Sequence, residues 1–569
     1  MPVSLAPPAL DYPDALFLGL DLSTQALKAI ILDTSLRTVG EFGVRFDEDL
    51  PRYKTTSGVH LGEGGEVTSP VMMWVEALDL LLERITQTEH GRGLLQRVKA
   101  QHASVYWSSM AAPALSALDP TRPLSAQLSP SAFALPTSPN WQDSSTSTEC
   151  RDLEAAVGGP EALTQRTGSR AHERFTGPQI LKLRRARPDV YEQTERISLV
   201  SSFLTTLLCA DGEIKALEES DACGMNLWNL ETGQGWDPDL LRCVAGGEEA
   251  VEELARKLGP VEKDGGRVAG KIGRWFVERY GMSEDCLVNH CTGDNNATIL
   301  SFSLLPGEVV VSLGTSDTIL LSTTEYAPDP DLHVFSYPTN RAGGKRSYMA
   351  MLCYKNGSLP REYVRDRYAG GQWEVFDKLV VDAGYPVTAD EAAHRPIGFY
   401  FLKKEIIPRN AHGIFHFEGN NLTAVEEFSD PSFNARAVLE SQFLSFRQRT
   451  TNMLSSTTGL PLRIYAVGGA SANQCIKNTL ATVLAAPVYQ PAMSSANSCA
   501  VGGAMKAYWA YARTTQPELT FEAAVKLARR RHASSADPEL VAAPMYEATV
   551  AYDAMMGRFA ELEKQTYKE

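Results

Sequence analysis

The sequence predicts an α/β protein of two similarly built domains. Three observations carry that expectation: the chain length, a hydroxyl-tipped hairpin repeated once in each half, and a tight glycine turn from strand to helix near the C-terminal end. At 569 residues, the chain is too long for one hydrophobic core, because cores stop growing and split beyond roughly 250–300 residues.

The first strong element is Leu16–Asp21, an apolar run of strand length. A polar tip follows at Ser23, Thr24 and Gln25, then a second apolar run, Ala29–Leu32, and a third strand over Thr38–Phe46. The pattern is a meander whose hydroxyls and carboxylate gather at one tip. Ser69 and Pro70 are expected to open a helix as cap and first turn, with apolar positions at Met72, Trp74, Ala77, Leu80 and Leu81.

Half a chain later the device returns. Glu308–Ser312 reads as a strand, Leu313–Asp317 as a polar tip and Thr318–Leu321 as the return strand, with Thr315 in the place that Thr24 holds in the first hairpin. Recurrence at so long a period indicates duplicated domains rather than a solenoid; two unrelated hairpins with Ser/Thr tips are the plainer alternative. A further strand, Arg463–Val467, runs into Gly468, Gly469, Ala470 and Ser471 and then a helix over Ala472–Ala485. Such a turn leaves backbone N–H groups free to meet a ligand. Ser494–Gly503 opens a helix of small side chains, which lets another backbone or a flat ligand approach. Taken alone, each glycine cluster reads equally well as packing. The Pro-rich residues 1–15 are expected to form a loose leader.

Composition narrows the function. The formal net charge of −15 disfavours adhesion to nucleic acid or acidic lipid, and no apolar run approaches the roughly 18–20 residues of a membrane span. Nine cysteines without a C-x-x-C pair or zinc spacing read as reduced thiols in a cytoplasmic protein. There is no Walker-type phosphate loop, since Gly343, Gly344 and Lys345 lack the leading glycine, and no G-x-G-x-x-G follows a strand. Phosphate is expected to sit between paired hairpin tips instead.

The motifs resemble those of the FGGY carbohydrate kinases, within the actin/Hsp70/hexokinase fold group. Leu20–Gln25 is similar to that family's first phosphate motif, Ser312–Asp317 to its second, and Val467–Asn473 to its adenosine motif. Longer strings resemble the eukaryotic xylulose kinase branch: Thr68–Trp74, Trp141–Ser145, Thr167–Gly177, Thr292–Asn295, Tyr348–Ser358 and Asn434–Phe443. The resemblance runs from about residue 16 to 565. It implies two actin-like (ribonuclease H-like) domains, a first over 16–304 and a second over 305–569, with ATP and a ketose, D-xylulose, in the cleft between them, and Mg²⁺ as the companion ion. The assembly is expected to be a monomer or homodimer, without nucleic-acid or membrane partners.

The resemblance assigns roles by position. Asp294 becomes the general base, because a carboxylate bonded to the attacking hydroxyl can take its proton; Asp294 and Asn295 capping a turn is the structural alternative. Asp21 becomes the metal-side carboxylate, since Mg²⁺ takes hard oxygens and keeps much of its water. Ser23, Thr24 and Gln25, with Gly314, Thr315 and Ser316, face the phosphates, although hairpin-turn bonding explains the hydroxyls as well. Gly468, Gly469, Ala470 and Asn473 line the adenosine, with Trp373 as an aromatic wall or else a core anchor. Gln101, His102, Arg174, Asp294 and Asn295 form the sugar set; Arg174 in an ion pair and His102 as a core histidine are the alternatives.

One segment departs from the family. The Gln-His pair is usually entered through a strand and a Ser-Gly-x-Gly-Gln turn, whereas here Arg97–Ala100 leads straight into Gln101 and His102, with Ala103 where glycine is common. The loss predicts a shortened strand and a displaced His102. Two other classes therefore stay open: a sugar-binding protein with impaired catalysis, and an ATPase switch of the actin or Hsp70 type. Within kinases, glycerol and ribulose remain alternative acceptors.

Overall fold

A computed structural model describes residues 15–88, 105–419, 422–491, 497–530 and 538–566. Residues 1–14 of the expected leader, Arg97–Ala100, Gln101 and His102 lie outside them. The first meander is β1 (Phe17–Leu22), β2 (Ala26–Leu32) and β3 (Thr38–Arg45), all antiparallel. Its apolar runs are buried because one face packs on helix α1 (Val71–Gln87), whose Met73, Trp74, Leu78 and Leu81 join the same core.

The helix start differs from the expectation. Ser69 and Pro70 end a short strand, Val67–Pro70, which pairs with Thr137–Pro139, and the helix begins one residue later. Strand pairing claims the Ser69 backbone, and its hydroxyl donates to the Gly58 carbonyl rather than capping the helix.

Helix α2 (Asp294–Phe302) leads into the second sheet. That sheet contains β4 (Glu308–Leu313), β5 (Asp317–Thr323), β6 (His333–Ser336), β7 (Tyr348–Tyr354), β8 (Arg463–Val467), β9 (Val488–Gln490) and β10 (Glu539–Ala542). Their order is β6-β7-β5-β4-β8-β9-β10. β4 and β5 repeat the antiparallel hairpin of β1 and β2, and β8 runs parallel to β4. Among the described residues β1 has one strand neighbour, β2, whereas β4 has two.

Helices α3 (Ser358–Tyr368), α4 (Trp373–Asp382), α5 (Asn434–Thr450) and α6 (Gln474–Val483) follow in the second half. α6 starts later than the sequence indicates. A 3₁₀ turn, Gly469–Ala472, intervenes, and the Asn473 side chain caps α6 by accepting from the Ile476 N–H.

Within the small-residue run, whose residues 494–496 lie outside the described residues, Ser498 opens α7 (Ser498–Arg513), which packs against α2 and β1. A Cβ on Gly502 would stand 1.8 Å from the Ala297 carbonyl oxygen, and one on Gly19 would stand 1.8 Å from that of Ala500. The glycines thus let helix meet helix, and helix meet strand, at backbone contact. This crossing joins the two halves.

Candidate active site

The site is assembled at the ends of these elements. Asp294 is the first residue of α2, preceded by Gly293 in an extended conformation. Its Oδ1 accepts from the Asn295 backbone N–H at 2.7 Å and side-chain Nδ2 at 2.9 Å. The carboxylate opens to solvent, yet protein surrounds it closely enough for burial to raise its pKa; the Asn295 bonds and the Arg174 charge oppose that rise.

Asp21, near the end of β1, lies opposite Lys28 on β2, with 4.0 Å between carboxylate and ammonium. Burial raises its pKa, Lys28 lowers it, the Asp294 charge adds to the rise and the Cys499 thiol donates to it. Asp21 and Asp294 therefore feel each other across one small volume. Behind Asp294, Asp221 is pushed up to about 7, chiefly by burial; its Oδ1 would stand 2.8 Å from a Cβ on Gly293.

At the first hairpin tip, the Ser23 N–H and hydroxyl both donate to the Ala26 carbonyl at 2.9 Å, so this hydroxyl closes the turn. Thr24 accepts at Oγ1 from the Trp141 indole N–H at 2.7 Å, and Gln25 is exposed. Gly58, at φ +79°, backs the tip so closely that a Cβ would stand 1.8 Å from the Thr24 carbonyl oxygen. At the second tip Thr315 and Ser316 are exposed. The tip is pinned from below: Gly314 donates to Asp317, and the Ser358 N–H donates to the Gly314 carbonyl. Asp317 is fully buried against Arg361 with two bonds, at 2.8 and 3.0 Å.

The glycine turn lies beside this tip. Gly468, at φ +85°, would place a Cβ 2.5 Å from the Leu313 carbonyl oxygen, and Gly468 and Gly469 are exposed. Ala470 is half-buried. Asn473, besides capping α6, donates to both oxygens of Asp377 at 2.8 and 3.0 Å. Trp373 begins α4, with the Arg365 guanidinium 4.8 Å above its ring and Phe376 at its edge.

Arg174 is half-buried and donates toward His333 Nε2 at 3.1 Å. Asp294 and Cys353 are among the groups that act on its charge. His333, Asp221 and Trp141 had no assigned role in the sequence. His333 and Asp221 carry no motif, since only packing between distant segments brings them here; Trp141 stands in a quoted string whose role spacing does not show. Among the described residues no group of three or more His, Cys, Asp or Glu side chains is arranged to hold a metal. A lone hard carboxylate such as Asp21 suits Mg²⁺, which keeps waters and shares its sphere with phosphate.

The chain belongs to the FGGY family of carbohydrate kinases: the family's N-terminal domain profile matches residues 135–301 and its C-terminal domain profile matches residues 309–511. It is 43% identical over 533 residues to a probable D-xylulose kinase A of Aspergillus clavatus, covering 89% of this chain and 90% of that one. It is 42% identical over 513 residues to the xylulose kinase of Schizosaccharomyces pombe, covering 87% and 89%. The crystal structure of xylulose kinase from Rhodospirillum rubrum superposes with a TM-score of 0.72 at 17% identity, covering 97% of this chain and 100% of that one. Plasmodium falciparum glycerol kinase with ADP gives 0.70 at 14%, covering 98% and 99%. The fold is thus the two-domain, actin-like fold of the sugar kinases.

Proposed function

We propose that this protein transfers the γ-phosphoryl group of ATP to D-xylulose, giving D-xylulose 5-phosphate. The observation that carries the reading is the likeness to eukaryotic D-xylulose kinases over nearly nine-tenths of the chain. Asp294 takes the proton of the attacking hydroxyl as the new O–P bond forms and the bond to the ADP oxygen breaks. Its raised pKa makes it a stronger base than an ordinary carboxylate. Arg174 and Asn295 orient the sugar, with Gln101 and His102 completing the set. Thr24, Gln25, Thr315 and Ser316 offer hydroxyl, amide and backbone donors to the phosphate oxygens, while Ser23 spends its N–H and hydroxyl on the turn and Gly314 its N–H on Asp317, so these two shape the phosphate-facing tips. Gly468, Gly469, Ala470 and Asn473 take the adenosine, with Trp373 as a wall. Asp21 would hold Mg²⁺, directly or through water, and the ion would supply charge neutralisation at the phosphates. Nine free cysteines fit a reducing compartment such as the cytoplasm, and a monomer or homodimer is the expected assembly.

An ADP-release screen over D-xylulose, glycerol, D-ribulose, L-xylulose and D-fructose tests the reading. D-xylulose should lead glycerol and D-ribulose by at least about tenfold in kcat/KM, roughly 1.4 kcal/mol of differential transition-state binding. Glycerol or D-ribulose in first place would overturn it.

A further inference from the structure

Arg174 presents an unusual balance of charge. Burial works against its guanidinium, and no carboxylate among the described residues lies within ion-pair distance of it. Its polar contact is the imidazole of His333, and its planar face lies over the Phe175 ring at 5.4 Å. His333 comes from the other half of the molecule, on β6, the edge strand of the second sheet. The segment that bears Arg174 is docked on that edge: the Val334 N–H donates to the Gly168 carbonyl at 2.8 Å. A Cβ on Gly168 would stand 2.3 Å from the Val334 carbonyl oxygen, so the approach is tight.

We propose that His333 is a positioning residue for sugar binding: its neutral imidazole, fixed on the second sheet, holds the Arg174 guanidinium so that its remaining N–H donors face the ketose hydroxyls. A guanidinium can only donate, so Nε2 of His333 must be bare and its proton must sit on Nδ1. Burial and the neighbouring Arg174 charge both push the His333 pKa well below the usual imidazole range. The ring itself is clamped, with His172 at 4.4 Å, Phe175 at 5.6 Å and Phe335 at 6.3 Å between centroids. His172 is likewise held neutral, by burial and by the charges of its neighbours. Arg174 acts on both rings and Arg170 and Arg409 act on His172, so protonating either ring would add a cation beside a fixed one. A neutral acceptor immobilises the guanidinium without quenching its charge, as a carboxylate would. The charge stays available to polar sugar oxygens.

The inference rests on the reading of Arg174 as a sugar-binding residue, and the test separates the two. The intact enzyme is assayed for KM of D-xylulose and of ATP in His333→Leu, His333→Gln, His333→Asn, Arg174→Leu and the His333→Leu/Arg174→Leu double variant. His333→Leu should raise the D-xylulose KM about tenfold or more, the effect of losing one hydrogen bond to a charged group, with the ATP KM within about twofold. His333→Gln, whose Oε1 reaches the Nε2 position, should recover most of the loss, whereas His333→Asn, with its shorter amide, should not. The double variant should bind the sugar no worse than Arg174→Leu alone. If Arg174→Leu leaves the D-xylulose KM unchanged, the sugar role of Arg174 is wrong and the inference falls with it. If Arg174→Leu weakens sugar binding while His333→Leu does not, or the two losses add in full, His333 does not position Arg174. Should His333→Leu fail to fold, equal KM values for the Gln and Asn variants would overturn the proposal by themselves.

Discussion

Asp294 sits where two demands meet. As the proposed general base it must be ionised to take a proton, and basic enough to take it readily. Burial raises its pKa above the ordinary 3.8, while Asn295 and Arg174 keep the rise in check. Because the ionised form is the active one, the acid limb of kcat/KM should fall as pH drops through this raised value, so activity is lost at a higher pH than an unperturbed carboxylate would give. Asp294→Ala should lower kcat by about 10² to 10⁴ and leave nucleotide affinity nearly unchanged, measured by ADP release and nucleotide titration. Full activity in that variant would assign the carboxylate to capping α2. At this scale legibility followed sequence distance. Asp294 and Asn295, or Thr315 and Ser316, announce themselves as short strings. His333 is invisible because its partner, Arg174, lies far away along the chain and meets it only when a first-half segment docks on β6.

The elements divide in the same way. The hairpins β1–β2 and β4–β5 were legible because apolar runs bracket polar tips. Ser69 misled because a serine before a proline has the local chemistry of a helix start, and only pairing with Thr137–Pro139 shows it to be a strand. The Ser494–Gly503 run reads as permission for close approach, but which backbones approach, those of Ala297 and Gly19, is tertiary information. The shortened lead-in to Gln101 belongs here too. Buried backbone groups left unpaired cost about 1 to 3 kcal/mol each, against roughly 5 to 15 kcal/mol for a whole domain. We expect that restoring a Ser-Gly-Ala-Gly lead-in before Gln101 raises both the thermal midpoint and the affinity for D-xylulose, with ATP affinity unchanged. Equal melting and equal sugar binding in the two versions would show the shortened segment to be harmless.

Across the whole molecule, the candidate groups are shared between the halves: Asp21, Thr24, Arg174 and Asp294 on one, Thr315, Gly468 and Gly469 on the other. We expect productive geometry to need the halves to approach, which would also keep water from ATP. D-xylulose with a non-hydrolysable ATP analogue should reduce the radius of gyration in solution scattering more than the nucleotide alone. Identical profiles in all ligand states would indicate a cleft already closed.

The glycine-lined crossing of α2 and α7 gives that motion a particular geometry. In a hinge, points near the axis barely travel, whereas points at the rim sweep through long arcs. Asp294 begins one of the two crossing helices, and the thiol that reaches Asp21 belongs to Cys499 at the start of the other. Were the halves to turn about this crossing, both carboxylates would lie beside the axle, and opening or shutting would scarcely disturb them.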